Sequence, residues 1–464
     1  MSWLYRYEAK GIQKYVLGTQ RLVEIAGGSA LVDQLPERLT AVLAGGPSII
    51  QKAAGSATIS FPDKESLQRF ASTWPAHVAT YAPGLHVVQA WTEDGDDALE
   101  KLVTKALPAA RQALYPTLPE AGPWVARAAR TGAPAVASLR THGRGLVDRA
   151  TEARFEASDK DRLPDELGVD RNCVVQEHDE EFGQGDGTTL AVIHIDGNDI
   201  GRRVIERVSP AGRAAYESFS SNLAQATRAA ATAALRGIEK VRPVVLGGDD
   251  FTYIVPAADG ICSVRRYLAA FEAETRARTD SLKGPMTATA GLAFVKLKSP
   301  FHAAYHLAEE LCSWAKASLR HPAGTPSSVA FHRVTGSALE SWDQVLHGGL
   351  AAAGLGRRLT GGPYRLSQLD ALEALRKHVE DSPRGSLREW ARLAKVDDAT
   401  ADIKWRRLVE IENRRLSDSG GRRVGARLSD VLAPLGCTNG PWTSDGRTPI
   451  YDALGLVALE VKPW

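Results

Sequence analysis

The chain has 464 residues and a formal charge of +2, and 44% of its residues are hydrophobic and 24% charged. These values are ordinary for a soluble globular protein with room for two to four domains, and they exclude a strongly charged chain that binds nucleic acid through its global field. The four cysteines are too widely spaced for a disulfide framework or a zinc knuckle, and no apolar run approaches the roughly 20 residues of a membrane span. We therefore expect a cytoplasmic protein that does not span a membrane.

The N-terminal region carries a weakened copy of a pattern that returns later in the chain. WLYRYEAKGIQKYV is similar in pattern to AVIHIDGNDIGRRV, which places Glu8 at the position of Asp196. AAGSATISFPD is similar to GGDDFTYIVP, and the positions of the later carboxylates are held by small residues, namely Gly55, Ser56 and Ala57. We predict a degenerate domain over residues 1–120, followed by a connector with short helices over 121–187.

Strand and helix patterns alternate regularly over residues 188–336. They predict strands at 188–196, 241–246, 251–257, 286–297 and 327–334, and helices at 209–235, 259–278 and 299–320. The order is β-α-β-β-α-β followed by one more α-β pair, which is typical of a ferredoxin-like palm domain. Residues 337–464 show helical periodicity. The predicted fold is therefore α+β, with two ferredoxin-like palm domains, the first degenerate, and a helical C-terminal domain.

The topology of the second palm brings three acids together. The crossover makes the strand that ends at Asp196 parallel to the strand before Gly247 and Gly248, so Asp196 should lie beside the turn that carries Asp249 and Asp250. Unit charges about 4 Å apart repel by roughly 1–4 kcal/mol, so three converging carboxylates call for a divalent cation. Mg²⁺ or Mn²⁺ accepts such ligands together with substrate phosphates, and the two glycines can adopt positive φ and let a triphosphate approach the backbone. The predicted reaction is nucleotidyl transfer.

Three basic residues are candidates for contacts with the triphosphate. Lys316 and Arg320 are four positions apart and are predicted to share one face of the last palm helix. Lys298 follows the preceding strand and is a third candidate. Together with Gly197, which comes directly after Asp196, these residues complete the predicted nucleotide site.

The order IDGNDIG, helix, GGDDFTYIVPA, helix, TAGLAFVKLKSP and a helix ending in ELCSWAK resembles the second palm domain of the large polymerase-cyclase subunit of type III CRISPR effectors. It is more distantly similar to GGDEF diguanylate cyclases. The resemblance implies conversion of ATP to cyclic oligoadenylate, with metals held by Asp196, Asp249 and Asp250 and nucleotide contacts from Lys316 and Ser220. The HD nuclease domain of that family is not expected here, since His178-Asp179 is an isolated dipeptide, and neither are its connector zinc cysteines.

Two alternatives stay open at this point. The carboxylates fit a GTP-using cyclase that makes a cyclic dinucleotide equally well, because base choice depends on pocket walls that the sequence does not display. A non-catalytic palm scaffold that binds RNA or effector subunits is the other alternative, supported by basic helices around Trp405-Arg406-Arg407, Arg414-Arg415 and Arg422-Arg423. The degenerate first palm is a candidate partner or homodimer surface.

Overall fold

The computed structural model describes residues 2–19, 21–43, 46–53, 55–95, 97–112, 122–138, 145–158, 162–175, 182, 188–336, 339–354, 356–418 and 427–460. Two sheets, each with helices packed against it, dominate these residues. Within them, the helices are all too short or too polar to cross a membrane. The His178-Asp179 and Arg422-Arg423 dipeptides lie outside the described residues.

The first sheet has four strands in the order β2-β3-β1-β4. Its region contains β1 (Trp3–Lys10), α1 (Ile12–Leu17), α2 (Leu22–Asp33), α3 (Leu35–Val42), β2 (Ser48–Ala53), β3 (Ser56–Phe61), α4 (Lys64–Tyr81), β4 (His86–Glu93), α5 (Ala98–Lys101), a π-helical turn (Leu102–Ala106) and α6 (Leu107–Arg111). Both neighbours of β1 run antiparallel to it. This is the ferredoxin-like arrangement, in which the first and third strands are central.

A short connecting region follows. It contains β5 (Ala135–Ser138), β6 (Leu146–Asp148), α7 (Arg149–Glu156), α8 (Arg162–Glu166) and a 3₁₀ turn (Arg171–Cys173). The prediction of short helices is confirmed, but it missed the antiparallel β5–β6 pair. Three and four residues are too few for a strand pattern to be visible in the sequence.

The second sheet has six strands in the order β12-β11-β10-β7-β9-β8. Its palm contains β7 (Thr189–Gly197), α9 (Ile200–Arg203), a π-helical turn (Val204–Val208), a 3₁₀ turn (Ser209–Ala211), α10 (Arg213–Leu235), β8 (Arg242–Gly247), β9 (Asp250–Pro256), a 3₁₀ turn (Ala257–Asp259), α11 (Gly260–Ala277), α12 (Thr279–Leu282), β10 (Ala288–Lys296), α13 (Phe301–Leu319) and β11 (Ser328–Arg333). The predicted strands and helices are all present, within a few residues of their predicted limits. β9 is antiparallel to both β7 and β8, which makes β7 parallel to β8 as predicted.

The C-terminal region is mainly helical. It contains α14 (Trp342–Gln344), a π-helical turn (Val345–Gly349), β12 (Tyr364–Arg365), a 3₁₀ turn (Leu366–Gln368), α15 (Leu369–Asp381), α16 (Arg384–Val396), α17 (Asp398–Asp418), α18 (Leu428–Leu432), a 3₁₀ turn (Ala433–Leu435) and α19 (Ile450–Ala458). The two-residue strand β12 pairs with β11 and adds an edge strand to the palm sheet. At the other edge, Val241, next to β8, exchanges backbone hydrogen bonds with Cys173 and Val175 at 2.8 and 3.0 Å.

The two palms contact each other through α10. The guanidinium of Arg6 on β1 lies 5.5 Å from the ring centroid of Tyr216. Gln51 Nε2 on β2 donates to Ser220 Oγ at 3.1 Å. These contacts fix the first sheet against the second palm, and the predicted α+β architecture of two ferredoxin-like palms and a helical C-terminal region is confirmed.

Candidate active site

Three carboxylates converge at the end of β7. Asp196 lies at the end of this strand, and Asp249 and Asp250 lie in the β8–β9 hairpin turn and at the start of β9. One oxygen from each carboxylate lies within 4.8 Å of the others, and in the described part of the chain no other group of acids, histidines or cysteines converges in this way. The predicted meeting of these three residues is therefore seen in the fold.

Lys316 contacts one of the three acids in this cluster. Lys316 Nζ on α13 donates to Asp196 Oδ2 and, at 2.8 Å, to the carbonyl oxygen of Gly197. No cation in the described ranges forms an ion pair with Asp249 or Asp250. Burial, reinforced by the charge of Asp196, raises the pKa of Asp249 to about 7. Burial, reinforced by the charges of both neighbouring acids, also raises the pKa of Asp250 well above its ordinary value.

His194 does not supply a second positive charge. Its ring nitrogen Nδ1 lies 3.2 Å from Thr252 Oγ1. Burial lowers the pKa of His194 to about 4, so its imidazole is neutral at pH 7 even though it lies two residues from Asp196 on β7. Among the described residues, Lys316 is thus the cation that directly contacts the acids.

The glycines around the cluster have different roles. A Cβ atom on Gly197 would lie 2.9 Å from Asp249 Cβ and 3.0 Å from Asp249 Oδ2, so the absence of a side chain lets the two segments approach. Gly248 has φ +61°, the left-handed conformation that the tight turn requires. The expectation of positive φ at Gly247 is wrong, because this residue continues β8 and pairs with Asp250.

A cleft of about 830 Å³ opens beside the acids. Its lining includes Asp196, Asp249, Lys316 and Arg320. Arg320 does not share a helix face with Lys316 as predicted, since α13 ends at Leu319 and Arg320 is extended. The proximity of Pro322 explains this early end, because the backbone before a proline disfavours helix.

Two predicted contact residues lie elsewhere. Lys298 follows β10, which runs antiparallel to β7, and the backbone of the adjacent Leu297 bonds to Thr188 at the start of β7. Eight strand residues at about 3.3 Å each separate Thr188 from Asp196, so the prediction that Lys298 contributes to this site is wrong. Ser220 is half-buried between the palms, where it accepts the hydrogen bond from Gln51.

The turn after β7 contains site residues that the sequence analysis missed. Asn198 is buried, and its amide donates to Thr287 Oγ1 at 3.1 Å while its carbonyl oxygen accepts from Thr289 Oγ1 at 2.9 Å. Asp199 has φ +59° and accepts from the Thr325 amide at 3.2 Å. The Asn-Asp pair directly after a buried strand was the available signal, since these residues tolerate left-handed backbone.

The corresponding place in the first palm is chemically different. Glu8 on β1 pairs in register with Ser56 on β3. In the second palm, Ile195 pairs with Phe251, so the next residue, Asp196, lies beside Asp250. Glu8 Oε1 accepts from Arg6 Nε at 3.0 Å, and Oε2 accepts from Arg111 Nε at 3.2 Å. Burial opposes its charged form, yet the two guanidinium groups hold the pKa of Glu8 below its ordinary value. The first palm thus has one carboxylate and two cations at the place where the second palm has three carboxylates and one cation.

The basic helix proposed as an RNA contact is partly structural. Trp405 on α17 packs with its ring centroid 5.6 Å from that of Trp390. Arg406 and Arg407 are exposed beside it. The tryptophan is therefore part of the packing between α16 and α17.

Comparison with known proteins agrees with this architecture. Residues 189–321 match a family model described as Cas10/Cmr2, second palm domain. No curated protein matches the chain. Among solved structures, a Csm1–Csm4 cassette in complex with cA4 is 14% identical with a TM-score of 0.52, and the alignment covers 99% of this chain and 70% of that one.

Two further structures give the same result. Csm1 from T. onnurineus is 15% identical, with a TM-score of 0.52 and the same coverage of 99% and 70%. A Csm1–Csm4 cassette in complex with one ATP is 14% identical, again with a TM-score of 0.52, 99% and 70%. These likenesses establish the fold. The family likeness rests on residues 189–321, which are similar to the second palm domain of Cas10/Cmr2 proteins.

Proposed function

We propose that this chain is a metal-dependent nucleotidyl cyclase that converts ATP to a cyclic oligoadenylate. The observation that carries the proposal is the convergence of the Asp196, Asp249 and Asp250 carboxylates beside a cleft large enough for a nucleotide. The solved relatives in complex with ATP and with cA4 support adenine nucleotides as the substrate class.

The three acids fit Mg²⁺ or Mn²⁺. Oxygen ligands are those that these ions prefer, and a single lysine leaves the cluster with excess negative charge. The missing side chain at Gly197 keeps Asp249 close to Asp196. When bound, the metal supplies Lewis-acid stabilisation of phosphoryl oxygens.

The chain's own residues would bind and orient the substrate. Lys316 and Arg320 line one side of the cleft and present cations to the triphosphate. The buried amide of Asn198 fixes the turn that holds Asp199 opposite them. Ser220 links this palm to the first through Gln51, so its effect on the nucleotide would be through the position of α10.

One of the solved relatives also supports a proposal about partners. A solved relative is the Csm1–Csm4 subcomplex of a type III-A CRISPR–Csm interference complex. We infer that this chain also assembles with effector subunits in antiviral defence, with the first palm as a partner surface. The division into 1–120, 121–187, 188–336 and 337–464 is part of this proposal.

The test is product identification with matched variants. The wild-type protein is incubated with each of the four nucleoside triphosphates in Mg²⁺ or Mn²⁺, and products are identified by mass. Asp249→Asn/Asp250→Asn should abolish the products, while Asp402→Asn/Glu410→Gln, which removes the same charge from α17, should not.

Each alternative has its own signature in that experiment. A cyclic dinucleotide formed only from GTP would replace the ATP assignment. Absence of pyrophosphate release with every nucleotide, in the presence of candidate effector subunits, would overturn catalysis and leave a palm scaffold.

A further inference from the structure

A second groove continues from the active-site cleft. It has a volume of about 490 Å³ and shares Asn198, Asp199 and Arg202 with the cleft along one wall and Pro322 and Thr325 along the other. It then extends between the π-helical turn after α9 and the C-terminal part of α11. A ligand could therefore pass from the acids into this groove without leaving the surface of the second palm.

The groove carries more positive than negative groups. Four guanidinium groups and three carboxylates line it. Arg203 is already engaged, since its guanidinium donates to the backbone carbonyls of residues 282–285 at 2.9–3.1 Å. Its role is to hold the segment after α12 against α9.

Arg202 pairs with Asp199 at 3.6 Å, which leaves two of the four arginines available to a ligand. Arg207 makes one hydrogen bond, from Nη1 to the Lys283 carbonyl oxygen at 3.2 Å, and is otherwise exposed. Arg276 is exposed and forms no ion pair with any residue in the described ranges. Glu206 and Glu272 line the same groove but pair with neither arginine within 4.0 Å. Two guanidinium groups at the far end of a cleft that begins at a phosphate-handling site suit a small polyanion.

We propose that this groove binds the inorganic pyrophosphate that nucleotidyl transfer releases. The inference rests on the proposed function. In that reaction a ribose hydroxyl oxygen bonds to the α-phosphorus, and the bond from the α-phosphorus to the bridging oxygen breaks. Pyrophosphate leaves with the electron pair, and the hydroxyl proton passes to solvent. The groove gives this leaving group a basic path away from the acids, which would otherwise repel it.

The test measures binding directly. Isothermal titration in Mg²⁺ compares magnesium pyrophosphate with the α,β-methylene analogue of ATP, whose α–β linkage cannot be broken. Arg207→Ser/Arg276→Ser should weaken pyrophosphate binding about tenfold or more and change binding of the analogue by less than about twofold. Arg392→Ser/Arg406→Ser, which removes two exposed arginines from α16 and α17, should change neither. Because Arg276 makes no ion pair within the part of the chain that the structure describes, the single variant Arg276→Ser serves if the double variant folds poorly.

The outcomes separate this inference from the proposed function. Unchanged pyrophosphate affinity in the groove variants, or no pyrophosphate binding by the wild type, overturns the groove assignment while product formation from ATP stands. Equal weakening of pyrophosphate and the ATP analogue also overturns it, because the groove would then hold the substrate's own phosphates. If pyrophosphate binding depends on the two arginines but no nucleotide gives products, the groove assignment is supported and the cyclase proposal is contradicted.

Discussion

Arg111 and Lys316 occupy equivalent positions in the two palms. Each lies in the helical segment that follows the fourth palm strand, and each donates to a carboxylate on the first strand, Glu8 for Arg111 and Asp196 for Lys316. The two palms therefore share a cation–acid pair, and they differ in what surrounds it. In the first palm Arg6 takes the other carboxylate oxygen, whereas in the second palm two further acids lie beside the pair.

This difference predicts that the first palm binds no catalytic metal. Glu8→Gln should leave Mn²⁺ binding unchanged but lower the free energy of unfolding by about 2–3 kcal/mol, because the buried Arg6 loses its carboxylate. Denaturant titration and Mn²⁺ titration measure the two effects. Glu65→Gln, which breaks an exposed pair with Arg69, is the control and should cost less than about 0.5 kcal/mol. A fall in Mn²⁺ affinity in Glu8→Gln would contradict the prediction.

Gly197→Ala tests the close approach of the two acidic segments. The added methyl group would meet Asp249 and Ile200 at about 3 Å, so the acids should be forced apart. We expect Mn²⁺ affinity to fall about tenfold or more and cyclase activity to fall with it. Gly201→Ala is the matched control, since a Cβ atom there meets nothing within 4 Å and helix α9 favours alanine. Equal effects of the two substitutions would rule out this explanation.

Lys316→Ala removes the cation that contacts Asp196. Without metal, the three acids then repel with no direct counter-charge, and the partly exposed pair suggests a loss of about 1 kcal/mol in stability. Because Mn²⁺ would replace the missing charge, saturating Mn²⁺ should restore most of the loss in thermal unfolding. Lys404→Ala, which breaks the pair with Glu389, should show no such rescue.

The raised pKa of Asp249 predicts how stability depends on pH. A carboxyl group with a pKa of about 7 when folded and an ordinary value near 3.8 when unfolded binds more protons in the folded state between those values. The stability of the metal-free protein should therefore fall as pH rises from about 4 to 7, and Asp250 acts in the same direction. Stabilisation by Mn²⁺ should grow over the same range, because the metal competes with protons.

Thermal unfolding at several pH values, with and without Mn²⁺, measures this effect. Asp249→Asn/Asp250→Asn should flatten the pH dependence of the metal-free protein. An identical slope in the wild type and this variant would show that other groups are responsible.

The sequence predicted the second palm well because its signals are strong and local. The buried strand before Asp196, the Gly-Gly turn and the long amphipathic helices determine the topology, and the topology brings the acids together. Lys298 was wrongly assigned to the site, although the same topology places it away from Asp196. The fourth strand of this fold runs antiparallel to the first, so its C-terminal end lies at the opposite edge of the sheet from Asp196.

Other features left no readable pattern. Arg111 lies 103 positions from Glu8, and nothing near either residue indicates that they meet. The two-residue strand β12 is too short to show alternation. The fixed turn at Asn198 and Asp199 depends on partners around residues 287–289 and 325, which only the folded chain brings close.

The pairings at the two ends of the second sheet limit how this palm can be isolated. At one edge of the sheet, β12 pairs with β11. At the other edge, the segment around Val174 pairs with Val241, which directly precedes β8. Both covering segments come from outside residues 188–336. A fragment cut to the palm alone would present two rows of unpaired backbone groups, and open strand edges of this kind promote self-association. The flanking regions thus protect the second sheet from aggregation, whatever else they bind.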